Sequence, residues 1–286
     1  MKKIVCNHLI AFLLPVMFIA DYNSGAEDEK PANPVQAGIV LTVPQSKQLI
    51  AKAIVEMPIV KNALKNGTVI VTKGTTNTYI AEELLGRTIA PGAMVYGSIT
   101  PHNSGNPFAG VERMSEVVLV KGKHQPDMTL MEALEQLKPG DVVIKGGNAL
   151  DYPNKTAAVM IGSPSGGTTG KIMPYVIARK AHLVIPIGLE KQVSGNVKQM
   201  HLKMREPVES LNSVPSMFLL TGHIVTELEA LNILAGVDSF QASAGGIAGA
   251  EGGVWLIARG PRSAVEKALQ IADEIYKKTD TNTQLK

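Results

Sequence analysis

The chain is poor in cysteine and in aromatic residues. Its only cysteine is Cys6, close to the start of the 286-residue sequence. A single cysteine excludes an internal disulfide, a CxxC redox pair and a thiolate metal site. Aromatic residues make up 4% of the chain, which is too few for the ring platforms that stack single-stranded nucleic acid.

Charge of either sign is also sparse. Charged residues make up 19% of the sequence and the formal net charge is +3. The lysines and arginines are scattered along the chain, without the basic stripe that tracks a phosphate backbone. Nucleic acid is therefore not an expected partner.

The first residues have the three parts of an export signal. Lys2 and Lys3 precede an apolar run from Leu9 to Ala20, and the small residues Ser24 and Ala26 occupy the −3 and −1 positions of a cleavage site. The run is shorter than the roughly 20 apolar residues that span a bilayer. The sequence thus predicts a signal peptide over residues 1–26, cleaved after Ala26, and a periplasmic or secreted protein. If it is not cleaved, this segment is the only expected membrane contact.

Apolar strand patterns alternate with helical patterns along the rest of the chain. A polar linker over residues 27–40 is expected to lead into an α/β domain over residues 41–210, with a mostly parallel sheet and helices on both faces. A strand-helix-strand-strand-helix rhythm then predicts a small ferredoxin-like α+β unit over residues 211–277. Residues 278–286 read as a polar tail.

A loop between a buried strand and a helix is the first candidate binding site. Such a junction points backbone N–H groups and the positive end of the helix at one spot, where phosphate or carboxylate binds. The alternative is a tight turn whose side chains only cap the helix. The candidate ligand-binding residues of this loop are Gly74, Thr75, Thr76, Asn77 and Thr78.

A second loop also follows a buried strand and combines cations, glycines and a carboxylate. Ligands of open α/β sheets gather outside the carboxyl ends of the strands, so the two loops support each other. The alternative is a glycine bulge with solvated charges. The candidate residues here are Lys145, Gly146, Gly147, Asn148, Asp151, Asn154 and Lys155.

Neither a metal nor a cofactor is expected from the motifs. The histidines are scattered without metal-ligand spacing. The glycine-rich stretch over residues 162–171 fails as a nucleotide P-loop, because Ser165 stands where the first glycine belongs and Ile172 where the magnesium-binding hydroxyl belongs.

In this order the loops resemble the superfamily of ribose-5-phosphate isomerase A, glucosamine-6-phosphate deaminase and the CoA transferases. Gly74, Thr75 and Thr78 match a G-T-G-S-T phosphate loop, in which Asn77 stands for the serine and Thr76 replaces the middle glycine. The resemblance covers roughly residues 45–195 and implies that superfamily's fold.

Further matches and one departure concern the chemistry. Lys145-Gly146-Gly147 looks like the K-G-G-G of the isomerase, which implies that Lys145 is an active-site lysine, and Lys191 resembles the lysine of a later S-K-x-V ending. The isomerase's catalytic glutamate aligns with Asn154, which cannot act as a base. Asp151 is the nearest carboxylate and the expected substitute.

The leading hypothesis is an exported protein that binds a small phosphorylated or carboxylated metabolite. If it is an enzyme, isomerisation or group transfer is expected, with Lys145 polarising an oxygen and Asp151 as the base. One alternative is a non-catalytic sensor or envelope binding protein on the same scaffold. Another is an interaction protein whose α+β unit mediates homo-oligomers.

Overall fold

The computed structural model describes residues 33–97, 100 and 107–283, so the predicted signal peptide lies outside the described residues. The fold is mixed α/β. Its strands are β1 (Val35–Leu41), β2 (Thr68–Val71), β3 (Val117–Val120), β4 (Lys123–His124), β5 (Val142–Ile144), β6 (Ala149–Asp151), β7 (Thr156–Ile161), β8 (His182–Pro186), β9 (Ser216–Leu220), β10 (His223–Val225), β11 (Asp238–Gly245) and β12 (Gly253–Gly260).

Eight α-helices accompany these strands in the described part of the chain. They are α1 (Val43–Glu56), α2 (Pro58–Asn66), α3 (Thr75–Leu85), α4 (Leu130–Glu135), α5 (Gly167–Ala178), α6 (Val197–Lys203), α7 (Glu227–Ala235) and α8 (Arg262–Thr283). None of these helices is long and apolar enough to cross a membrane.

The largest sheet has six strands in the order β10-β8-β5-β2-β3-β4. The four strands from β10 to β2 are parallel, while β3 and β4 are antiparallel to their neighbours. The sheet is therefore mixed, whereas the sequence suggested a mostly parallel one. The direction of β4 is set by the two-residue turn Lys121-Gly122, in which both residues have positive φ, as type I′ hairpins require.

Two three-stranded antiparallel sheets complete the fold, in the orders β1-β12-β11 and β6-β7-β9. The three strands predicted for one C-terminal unit are consequently divided between the two small sheets: β9 pairs with β7, whereas β12 lies between β1 and β11. Local periodicity identifies a strand but carries no information on its partner. For that reason the ferredoxin-like pattern in the sequence does not correspond to one sheet here.

The ends of the described chain differ from the predicted linker and tail. β1 occupies the second half of the predicted linker, because Ile39 and Leu41 point into the core while Val40 between them is exposed. At the other end α8 continues into the predicted polar tail as far as Thr283.

The helices cover the large sheet with their apolar faces. α1 begins at a capping box formed by Thr42 and Gln45 and buries Leu49, Ile50 and Ile54. Its neighbours include α3 and α7. One main cluster of buried apolar side chains extends from Ile39 to Ile275, so it includes residues from both predicted domains.

Candidate active site at the carboxyl edge of the parallel strands

Four parallel strands end at the same edge of the large sheet, and a polar loop follows each of them. The loop after β2 leads into α3, that after β5 begins with Lys145, that after β8 contains Glu190 and Lys191, and that after β10 leads into α7, whose first residue is Glu227. In open α/β sheets this edge is where ligands bind. The sequence predicted the first two loops as a site and, through Lys191, part of the third.

Helix α3 begins at this edge without a side-chain cap. Its N-cap is Gly74, and the first-turn N–H groups of a helix have no partner within the helix. The main-chain N–H and the hydroxyl of Thr78 both donate to the Gly74 carbonyl oxygen, each at 2.9 Å. These two bonds hold the loop against the helix, whose first turn carries partial positive charge without a capping side chain.

Asn77 joins the β2 loop to the end of β5. Its side chain is fully buried, and its Nδ2 donates to the carbonyl oxygens of Thr72 at 2.8 Å and Ile144 at 3.3 Å. Its Oδ1 has no hydrogen-bond partner among the described residues. A Cβ atom added to Gly146 would lie 3.7 Å from this oxygen, so the two predicted loops adjoin.

Lys145 is the first residue after β5. Its Nζ donates to the carbonyl oxygen of Gly146 at 2.9 Å, and in the described chain it forms no salt bridge. Burial, together with the positive charge of Lys191, lowers the pKa of Lys145 to about 8. A buried ammonium without a carboxylate partner is stabilised when an anion binds beside it.

Gly147 allows the β5 loop to lie flat against its surroundings. A Cβ atom at this position would come within 2.9 Å of the Ile187 side chain and 3.0 Å of the Ala158 carbonyl oxygen. Glycine is therefore needed at position 147 for the chain to pack closely here. The Lys145-Gly146-Gly147 motif seen in the sequence thus has a packing role beside the lysine at the strand end.

The loop after β8 and the start of α7 contribute two glutamates that sequence reasoning missed. Glu227 is fully buried, and one of its carboxylate oxygens accepts the N–H of Leu189 at 2.9 Å. Burial, and secondarily the charge of Glu190, raises the pKa of Glu227 to about 7. The other oxygen of Glu227 and one oxygen of Glu190 have no partner among the described residues.

Lys191 and Lys47 bring further positive charge to these glutamates. The Lys191 Nζ lies 3.9 Å from a Glu190 oxygen. The pKa of Lys47, on α1, is lowered by burial and then by the charge of Lys191, against an opposing effect of Glu190. The only sequence signal for Lys47, Glu190 and Glu227 is the abrupt appearance of charge beside apolar segments.

The other predicted site residues have structural contacts in the β6-β7 hairpin. The Asp151 carboxylate accepts the N–H of Asn154 at 3.2 Å, the Asn154 amide at 3.0 Å and the N–H of Val197 at 3.4 Å. None of the hydrogen bonds found for Asp151 in the described chain involves Lys145. The charge found to act on Lys145 is that of Lys191 rather than that of Asp151.

Asn148 and Lys155 also make contacts away from the strand-end loops. The Asn148 Oδ1 accepts the N–H of Met160 at 3.0 Å. The Lys155 Nζ lies 3.4 Å from the centre of the Tyr152 ring and 2.8 Å from a Glu229 carboxylate oxygen. These contacts tie the hairpin to α7.

No protein-family model, no curated protein and no solved structure matches the chain. Within the described residues there is no group of three or more histidine, cysteine, aspartate or glutamate side chains placed to hold a metal ion.

Chemically, the edge combines anion attraction with groups that can move protons. Lys47, Lys145 and Lys191 supply positive charge, and the start of α3 adds partial positive charge. A lysine with a pKa of about 8 and a glutamic acid with a pKa of about 7 each exchange a proton readily near neutral pH. Such pairs of perturbed groups are characteristic of functional sites.

Proposed function

We propose that this protein binds a small phosphorylated or carboxylated metabolite at the carboxyl edge of β2, β5, β8 and β10. The observation that carries the proposal is Lys145 at the end of β5. Its ammonium forms no salt bridge in the described chain and is repelled by Lys191, and Asn77 joins its loop to the start of α3, which has no side-chain cap. An anion in this place would relieve the repulsion between the two lysines and accept hydrogen bonds from the helix.

The proposal extends to isomerisation or group transfer. In this role Lys145 polarises an oxygen of the substrate, as its resemblance to the lysine of the isomerase superfamily implies. Glu227 supports such chemistry better than Asp151, because its carboxyl is buried at the strand edge with one unpartnered oxygen, while the oxygens of Asp151 already hold the hairpin. A scaffold related to that superfamily is part of the same proposal.

The second candidate is a non-catalytic sensor or envelope binding protein. It is favoured by Asn154, which occupies the position of the superfamily's catalytic glutamate, and by the proposed export of the chain after cleavage at Ala26. In that case the same edge would hold the anion without turnover.

The test is a thermal-shift assay on the chain from Glu27 onward, with inorganic phosphate, sugar phosphates, carboxylates, nucleotides and CoA esters. A ligand that binds only the folded state stabilises it by about 2.7 kcal/mol at a hundredfold excess over its Kd. We expect a shift that is lost in Lys145→Met and kept in the control Lys171→Met, which alters an exposed lysine. No shift with any compound would overturn the proposal, and turnover of a shifting compound would exclude the sensor.

A further inference from the structure

Two histidines that are far apart in the sequence meet at the other edge of the large sheet. His182 is the first residue of β8 and His223 the first residue of β10, so both lie at the ends of these strands opposite to Lys191 and Glu227. The His182 Nδ1 and the His223 Nε2 are 3.4 Å apart, although 41 positions separate the two residues in the chain. Spacing in the sequence therefore gives no sign of this pair.

Main-chain packing holds the two rings near each other. β8 and β10 are parallel neighbours, and His223 pairs with Val184, which is two residues after His182 and therefore on the same face of the sheet. Gly222 lets the strands approach closely beside the rings, because a Cβ atom at that position would lie 2.4 Å from the Leu183 carbonyl oxygen. The backbone thus contributes to the short distance between the rings.

Both rings are accessible and lack an acidic partner. His182 is half-buried and His223 is exposed, and neither forms a salt bridge within the described residues. The rings are tilted by 56°, with their centroids 5.4 Å apart. The 3.4 Å between the two nitrogens exceeds the roughly 2.7–3.2 Å of ordinary hydrogen bonds from N–H groups. A direct hydrogen bond between the rings is therefore weak.

We propose that His182 and His223 bind a zinc ion. A neutral imidazole has one nitrogen without a hydrogen. When the outer nitrogens carry the hydrogens, the lone pairs of His182 Nδ1 and His223 Nε2 both face the space between the rings, and imidazole nitrogen is a preferred ligand of zinc. No third histidine, cysteine or carboxylate completes the group in the described part of the chain, so water fills the remaining coordination positions.

The distance between the nitrogens favours zinc over other divalent metals. Zn–N bonds are about 2.0–2.1 Å long, so two nitrogens 3.4 Å apart subtend an angle of about 110° at the ion, close to that of a tetrahedral zinc site. In the square-planar geometry of Cu²⁺ or Ni²⁺, adjacent nitrogens would be only about 2.9 Å apart. Mg²⁺ and Ca²⁺ prefer oxygen ligands, which this pair does not offer.

Electrostatics and topology agree with this assignment. The pKa of His223 is lowered by burial and then by the charge of His182, which favours the neutral form that binds a metal. β10 has only three residues and lies at the edge of the sheet. A zinc ion would link it to β8, and an ion that binds only the folded state stabilises that state.

The experiment is a calorimetric titration of the protein with Zn²⁺, after bound metal has been removed and without a polyhistidine tag. At pH 7.5 we expect one zinc ion per chain, a higher melting temperature with Zn²⁺, and no response to Mg²⁺. The affinity should fall by about one to two orders of magnitude between pH 7.5 and pH 5.5, because protons compete for two imidazoles with pKa values near 6.5.

Variants test the two ligands separately. His182→Asn and His223→Asn should each raise the Kd for Zn²⁺ by more than about tenfold, since removing even a supporting partner of a metal ligand costs that much. His124→Asn is the matched control, because His124 makes no ring contact with another histidine in the described chain. In the unmodified sequence, NMR should show that Zn²⁺ shifts the imidazole signals of His182 and His223 but not those of His124 and His201. This measurement decides the matter even if a variant does not fold.

The outcomes separate this inference from the proposed function, on which it does not rest. Absence of zinc binding, or binding that is unchanged when both His182 and His223 are replaced by asparagine, would overturn the metal site and leave the anion site untouched. Loss of zinc binding in the variants, with the phosphate-induced thermal shift retained, would support a metal site separate from the anion site. Zinc binding without any phosphate shift would contradict the proposed function alone.

Discussion

The side-chain amide of Asn77 donates a hydrogen bond to the main-chain carbonyl oxygen of Ile144 at 3.3 Å, although the two residues lie 67 positions apart in the chain. This bond fixes the start of α3 against the last residue of β5. Because Lys145 follows Ile144 directly, the position of the lysine relative to the α3 terminus depends on a buried amide.

We expect Asn77→Ala to lower the free energy of unfolding by about 2–3 kcal/mol, because the buried Thr72 and Ile144 carbonyl groups would each lose a donor. It should also weaken phosphate binding. Urea denaturation with and without phosphate measures both effects. The control is Asn66→Ala, which removes an exposed bond to Asn62 and should change stability by less than about 0.5 kcal/mol. Equal effects at the two positions would contradict the role given to Asn77.

Lys145→Met should stabilise the unliganded protein at neutral pH. The pKa of Lys145 is lowered to about 8 from its ordinary value of 10.5, so between these values the unfolded chain binds more protons and stability rises with pH. The buried amine therefore lowers the free energy of unfolding of the wild type by up to about 3 kcal/mol below pH 8, and this loss decreases towards pH 10.5.

Urea denaturation of the wild type and of Lys145→Met at pH 7 and pH 10 checks this expectation. The difference between the two proteins isolates Lys145 from other groups that titrate in the same range. Lys171→Met provides the exposed control and should show no such pH-dependent difference. A Lys145→Met effect that is equal at both pH values would show that the amine is not destabilised by its surroundings.

The part of the site that the sequence could predict depends on local signals. Strands such as β2 and β5 are continuous apolar runs, and the glycines that follow them indicate close approach of the backbone. The principle that ligands gather at strand ends then links the Gly74–Thr78 and Lys145–Gly147 loops, and the structure brings them together through Asn77 and Gly146.

The missed part depends on contacts between distant segments. Glu227 is buried because β10 pairs with β8 and because the N–H of Leu189 supplies a hydrogen bond to its carboxylate. Neither pairing has a local signature, and in the sequence Thr226-Glu227 is typical of an ordinary solvated helix start. The same limit explains why the strands predicted after residue 211 suggested one unit although they belong to two sheets.

Asp151→Asn should mainly affect stability. The Asp151 carboxylate accepts hydrogen bonds from Asn154 and from the N–H of Val197, and an asparagine would turn one acceptor into a donor that faces other donors. We expect a loss of about 1–3 kcal/mol with phosphate binding unchanged. Urea denaturation measures the loss, and a thermal shift with phosphate measures binding. Loss of phosphate binding in a folded Asp151→Asn protein would instead restore Asp151 to the site.

Glu227→Gln should stabilise the protein above neutral pH and leave it nearly unchanged in acid. The pKa of Glu227 is raised from its ordinary value of 4.5 to about 7, so the folded state binds more protons between these values and wild-type stability falls as the pH rises through them. The loss is complete above pH 7 and amounts to about 3 kcal/mol. Glutamine cannot ionise, and its carbonyl oxygen can still accept the N–H of Leu189.

Glu229→Gln, two positions further along α7, is a control of opposite sign. Lys155, Thr226 and Tyr152 contact Glu229 and lower its pKa despite partial burial, so its carboxylate stabilises the protein above pH 4.5 and that stability is lost in acid. Urea denaturation at pH 4.5 and pH 8 should therefore show Glu227→Gln gaining and Glu229→Gln losing stability at the higher pH. If Glu227→Gln destabilised the protein at pH 8, the Glu227 carboxylate would be well compensated in the folded state. The pKa of Glu227 would then not be raised to near neutrality.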